Sequence, residues 1–235
     1  MLNHIQKSAC ALTVVLATAA LPALAESIDV RVIGTISPTA CTPTLAGGGT
    51  IDYGTIKPTS LSADAYTLLD EKQVEFTITC DAPAKIAVQV VNQRVGSLAG
   101  STNETSSGGT APAGPNVFGS ANMGAAGLGL DGTVKIGGYG IRLATGTMLA
   151  DGVAVDSIQS NGNTTSWAKT EYGSLLNSTS TRYSSWATTG TATPVAFTTL
   201  SGQLGVQAYI NKASELDLTK PIALDGLTTL ELVYL

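Results

Sequence analysis

The chain has 235 residues and a formal net charge of −5, with 12% charged and 43% hydrophobic residues. An acidic chain this poor in Lys and Arg carries no basic patch to condense on phosphates, which argues against nucleic acid as a partner. Its apolar share is too high for a disordered chain.

In chain order, Lys7 precedes an apolar run over residues 9–21, too short to span a bilayer as a permanent helix. Ala23-Leu24-Ala25 then supplies a small-x-small cleavage site. Together these predict a secretory signal peptide over 1–25 and an exported chain that begins at Glu26. Cys10 stands at the start of the apolar run rather than after it, which argues against a lipid anchor. The leader also carries His4, the single histidine of the chain. Without it, Ser-His-Asp and Cys-His nucleophile systems are excluded, and so is the commonest zinc ligand. Cys41 and Cys80 remain, and an even count in an oxidising compartment reads as one structural disulfide. A loop of that length contributes about 4 kcal/mol on the chain-entropy account; the alternative is two buried free thiols.

Beyond the leader, strand patterns dominate the chain, with no amphipathic helix. Ile28, Val30, Val32, Gly34 and Ile36 alternate with mostly polar neighbours, Ile33 being out of phase. Pro38, Pro43 and the triple glycine at 47–49 mark a turn region, and residues 51–56 make a short strand candidate. Val74, Phe76, Ile78 and Cys80 share one face of the next strand, and Ile86, Val88 and Val90 another after an Ala82-Pro83 turn. Residues 95–132 are rich in Gly, Ser, Thr and Asn and read as a long insertion, either a loop or a set of short strands that extend the sheets. Tyr139, Ile141 and Leu143 mark a strand over 134–143, with Asp131-Gly132 and Asp151-Gly152 as hairpin signals. A second Ser/Thr/Asn-rich insertion spans 157–193 and carries Trp167, Tyr172, Tyr183 and Trp186. Leu204, Val206, Ala208 and Ile210 alternate, and after an Asp225-Gly226 turn the chain closes on Leu230, Leu232 and Tyr234. Many short strands with Gly-rich turns predict an all-β sandwich.

The two ends carry the functional signal. The extended segment 28–36 precedes the first cysteine, with Gly34 seven positions before Cys41, and the penultimate residue is Tyr234 on an alternating strand. This pattern resembles the subunits of chaperone–usher pili. The stretches Ala40-Cys41-Thr42-Pro43, Thr79-Cys80-Asp81-Ala82-Pro83 and residues 216–235 resemble a narrower group. That group is a fimbria-like family of uncharacterised exported proteobacterial proteins (a domain of unknown function) that includes the periplasmic protein of the glutamate synthase operon.

The resemblance implies an immunoglobulin-like, pilin-type sandwich over 38–235, incomplete by one strand, with a Cys41–Cys80 disulfide. It implies that residues 26–37 are a donor strand for a neighbouring subunit, placing Ile28, Val30, Val32 and Ile36 in a groove with Gly34 where backbones approach closely. Full burial of those four side chains is worth roughly 6–12 kcal/mol as an upper bound. Leu230, Leu232 and Tyr234 would form the groove-side C-terminal strand. Implied partners are neighbouring pilus subunits, a periplasmic chaperone and an outer-membrane usher. The implied route runs through the periplasm to the fimbrium, in support of cell adhesion. The bland alternative pairs 28–36 within its own chain, as a self-closed periplasmic binding or regulatory module.

Smaller signals have bland alternatives too. Trp167, Tyr172, Tyr183 and Trp186 suit stacking on a host glycan, or packing beneath an insertion. Carboxylate pairs could in principle run glycoside hydrolysis, but Asp131, Asp151 and Asp225 each precede a glycine and suit turns. No catalytic residue, metal site or cofactor is expected.

Overall fold

Alternation of apolar and polar side chains becomes strands wherever a neighbouring backbone is in reach. The structure, a computed structural model, describes residues 28–35 and 39–235. It divides into two units, residues 1–37 and 38–235. In the first, residues 28–35 carry no regular secondary structure, and Ile28, Val30 and Val32 are 91%, 85% and 91% exposed. The predicted signal peptide and Ile36 lie outside the described residues.

In the second unit, the strands in chain order are β1 (Cys41–Leu45), β2 (Thr67–Leu68), β3 (Lys72–Ala84), β4 (Ile86–Asn92), β5 (Gly109–Thr110), β6 (Gly124–Gly127), β7 (Leu130–Asp131) and β8 (Val134–Lys135). Next come β9 (Gly137–Leu143), β10 (Leu149–Ala150), β11 (Val153–Asn161), β12 (Ala168–Lys169), β13 (Arg182–Thr188), β14 (Phe197–Ile210) and β15 (Thr228–Tyr234). Every ladder between them is antiparallel. One layer runs β15-β4-β13-β11, and the other β1-β3-β14-β9-β6-β5, with short β10 pairing to both β11 and β14. The fold is an all-β sandwich. Its core lies between the layers, where the Trp186 ring meets the Phe197 ring edge-on at 5.8 Å. Cys41 stands directly opposite Cys80 in the β1–β3 register, and the two are joined in a disulfide.

Several local expectations need correction. The strand over 51–56 does not form: these residues belong to no ladder. The turn at Ala82-Pro83 falls later, because β3 runs on to Ala84, which pairs with Phe197, and only Lys85 separates β3 from β4. Asp225-Gly226 is not a turn either, since the Asp225 carboxylate is held by the Arg94 guanidinium at 2.8 and 2.9 Å. Asp151-Gly152 does turn β10 into β11, with both residues at positive φ (48° and 80°), as a type I′ turn requires.

The Gly/Ser/Thr-rich stretches are part of the architecture. Residues 157–193 hold most of β11 and all of β13, whose ladder runs from Val155↔Thr188 to Asn161↔Arg182. Residues 95–125 pack a second small core on the outer face of β9 and β14, built from Leu98, Val117, Phe118, Met123 and Tyr209. Two alternate glycines of β9 make room for it. A Cβ on Gly138 would lie 2.6 Å from the Tyr209 hydroxyl, and one on Gly140 2.8 Å from Val117. The Glu104 carboxylate ties this loop down, accepting hydrogen bonds from the Gly96 and Leu98 amides and from the Asn92 side chain at 2.8–2.9 Å.

Candidate functional site

The sandwich is closed along most of its length and open along one side. β15 ends its layer: it pairs with β4 from Thr228↔Asn92 to Tyr234↔Ile86, and among the described residues its other edge has no ladder. Facing it across the gap is the chain after β1. Among the described residues no backbone hydrogen bond engages Ile51, Tyr53 or Ile56. Between these walls runs a groove whose floor is the core face of β9 and β14.

Two connected clefts make up the groove. One, of about 370 Å³, has Leu45, Ile51 and Leu230 on its walls and Tyr139, Ile141 and Val206 on its floor. The second, of about 780 Å³, shares Thr50, Ile51, Tyr53 and Leu224 with the first and continues past Ile56, Leu61 and Ile222 to Leu216. The groove's wall residues alternate: Leu216, Leu218, Ile222, Leu224 and Leu230 are half-buried, with exposed Asp217 and Ala223 between them. In a finished sandwich such residues would be covered. Here the sequence supplies an apolar face, and among the described residues the opposite sheet supplies no strand to cover it.

Three tyrosines fix the groove's geometry. The Tyr53 hydroxyl donates to the Val206 carbonyl at 3.0 Å and accepts from the Ala208 amide at 3.1 Å. It thereby bridges the gap in the β14 ladder between the end of β3 at Val206 and the start of β2 at Tyr209. Tyr139 pairs its hydroxyl with the Thr228 hydroxyl at 2.6 Å, linking floor to wall. Burial of the rings pushes both pKa values up to about 12, so both remain neutral donors well above physiological pH. At the far end Tyr234, half-exposed, accepts the Cys41 amide at 2.8 Å and fastens β15 to the disulfide-bearing strand.

Leu230, Leu232 and Tyr234 thus stand on one strand, of which Leu230 lines the groove, while Cys41 and Cys80 join β1 to β3 and Tyr234 lies at a separate cleft beyond them. Ile28, Val30, Val32 and Gly34 form an exposed segment of the first unit. The four aromatics do not come together. Trp186 is fully buried in the core, Trp167 donates its indole N–H to the Thr164 carbonyl at 3.0 Å, and Tyr172 lines a separate polar cleft. Among the described residues no two of the four stack on each other. Sequence reading missed Tyr53 and Tyr139 as groove residues, although each is a lone aromatic on an alternating apolar stretch. Among the described residues no three His, Cys, Asp or Glu side chains converge as metal ligands.

Residues 30–140 match the family model described as a protein of unknown function, DUF1120. Protein GltF of Escherichia coli (strain K12) is 31% identical over 255 residues, covering 96% of this chain and 95% of its own. Uncharacterized protein YhcF of the same organism is 28% identical over 223 residues, covering 89% of this chain and 90% of its own. No solved structure matches the chain. The family match ends within β9, so the C-terminal wall of the groove is covered by the whole-length relatives and not by the family model.

Proposed function

We propose, because this chain belongs to the DUF1120 family together with protein GltF, that the family's sandwich is a strand-accepting module and that this member is a subunit of an exported, pilus-like fibre. The observation that carries the reading is the pairing of an open apolar groove with an exposed apolar segment in one chain. The groove runs along the free edge of β15. Ile28, Val30 and Val32 alternate on residues 28–35 and are nearly fully exposed. An added strand would satisfy the outward backbone groups of β15 and cover Leu230, Leu232 and the half-buried wall residues with its alternate side chains.

A second copy of the chain is the natural donor, because the segment and the groove are equimolar by construction and a head-to-tail contact of this kind extends into a fibre. An unfilled groove and a free apolar segment are both aggregation hazards. The reading therefore calls for a periplasmic chaperone during export and an outer-membrane usher at assembly, with the fibre supporting adhesion. It assigns the protein no catalytic step and no cofactor.

The test compares residues 26–235 with a chain lacking 26–36, by size-exclusion chromatography, with and without a peptide spanning 26–36. Polymers from the longer chain, and tight capture of the peptide by the shorter one, are expected. Val30→Asp/Val32→Asp in the longer chain is expected to abolish polymers while leaving the far-UV spectrum unchanged. A longer chain that stays monomeric and ignores the peptide would sink the fibre reading and leave a self-closed periplasmic module.

A further inference from the structure

The apolar groove is not the molecule's only concavity. At one end of the β11–β13 ladder the inner face of the sandwich changes character. Along β13 the core side carries Trp186, then Ser184, then Arg182, and the paired β11 residues on that side are Ser157, Gln159 and Asn161. The core therefore gives way from a fully buried indole to a guanidinium and amides within four residues. There it opens into a polar cleft of about 310 Å³, closed on its other side by residues 120–124 and by Tyr172.

Arg182 is the informative residue. It is half-buried, its Nε donates to Asn161 Oδ1 at 3.1 Å and its Nη1 to the Ser174 carbonyl at 3.2 Å. Among the described residues no carboxylate lies within ion-pair distance of it, whereas Arg94 and Arg142 each hold one. Desolvation lowers its pKa, the direction expected of a cation taken from water without a counter-ion. The other charges around the cleft narrow the choice of ligand. Lys169 is already paired with Asp156 at 2.9 Å, and Glu171 presents an exposed carboxylate at the rim. One cation without a counter-ion, beside one anion, disfavours a dianionic phosphate and suits a single carboxylate. Around it stand hydroxyls and amides, from Ser120, Asn122, Gln159, Asn177 and Ser178, which both donate and accept, as a polyhydroxylated ring requires. The volume is that of a small-ligand site.

We propose that this cleft binds an acidic saccharide of the uronate or sialate class, with Arg182 taking the carboxylate and Asn122 and Gln159 the ring hydroxyls. The proposal does not depend on the fibre reading, since the cleft is built from β11, β13 and loops away from β15. Isothermal titration of the purified protein would use glucuronic acid, galacturonic acid and N-acetylneuraminic acid. Glucose, acetate and inorganic phosphate serve as comparison arms. Binding of at least one of the three acids is expected, with glucose, acetate and phosphate at least tenfold weaker. Arg182→Gln should weaken the acid at least tenfold. If that variant fails to fold, Asn122→Ala and Gln159→Ala decide the matter, each with an expected threefold or greater loss. No binding of any acid, equal binding of glucose, acetate or phosphate, or variants that bind like the parent would each overturn the assignment.

Discussion

β13 and β15 are strands of the same layer, each seven residues long, and they meet opposite fates. On β13 residues 184–187 are buried, Trp186 completely. On β15 Leu230 and Leu232 stop at half-burial, although they alternate as regularly. The difference lies across the sandwich. β13 faces β14, whose Phe197 meets the Trp186 ring, while β15 faces residues 50–57, which join no ladder. Alternation decides which face of a strand is apolar; whether that face is closed depends on what the other layer brings to it. One side of this molecule is a closed core and the other is a half-covered apolar groove.

The largest effect expected is on the closed side. Trp186→Ala removes a fully buried indole and should cost about 3–5 kcal/mol, read as a shift in urea midpoint without a change in slope. A loss under about 1 kcal/mol would mean that the β13 side is no better packed than the groove, and the contrast between the two sides would be gone.

On the open side the same kind of truncation should be mild until the groove is filled. Leu230→Ala or Leu232→Ala is expected to cost about 1 kcal/mol in the isolated chain, since each side chain is only half-covered. With the 26–36 peptide bound, the burial would be completed, and the same substitutions should weaken peptide binding roughly tenfold. Equal costs with and without peptide would show that the added strand does not lie along β15.

The contrast also explains what could be read from the sequence and what could not. The all-β class, the Cys41–Cys80 bond and the strands around Phe76, Val88, Val206 and Leu232 follow from period-two patterns and from cysteine parity. At 95–132 and 157–193 the composition is that of loops and leaves loop and short strand undistinguished. Yet β11 and β13 are strands in which Ser, Ala and polar residues break up the apolar alternation, and such residues give a weak hydropathy signal. The outer core under Leu98 and Tyr209 was announced only by Gly138 and Gly140, alternate glycines that matter once a loop lies over them. The open groove had no local signature at all. Its wall residues alternate like any half-buried strand, and whether a strand covers them is a property of topology. The unpaired Arg182 is equally non-local, because an ion pair that fails to form leaves no mark on spacing.

The smallest expected effect is absent at neutral pH and sets in only at high pH, where it separates the groove from the outer core by their tyrosines. Tyr53 and Tyr139 on the groove have pKa values near 12, raised chiefly by burial, and Tyr209 in the outer core is raised further by the same cause. An unfolded tyrosine ionises near 10. Between that pH and the folded values, the unfolded state holds fewer protons than the native one. Stability is therefore intact below pH 10 and declines as pH rises toward 12. An absorbance titration of phenolate formation should show Tyr53 and Tyr139 ionising before Tyr209. Tyr53→Phe should remove part of the decline, at the cost of the bonds to Val206 and Ala208. Filling the groove with the 26–36 peptide buries these rings more deeply, and should push their ionisation higher while leaving Tyr209 where it is. A peptide that shifted all three alike would be acting on the whole fold, and one that shifted none would be binding somewhere other than between β15 and the chain after β1.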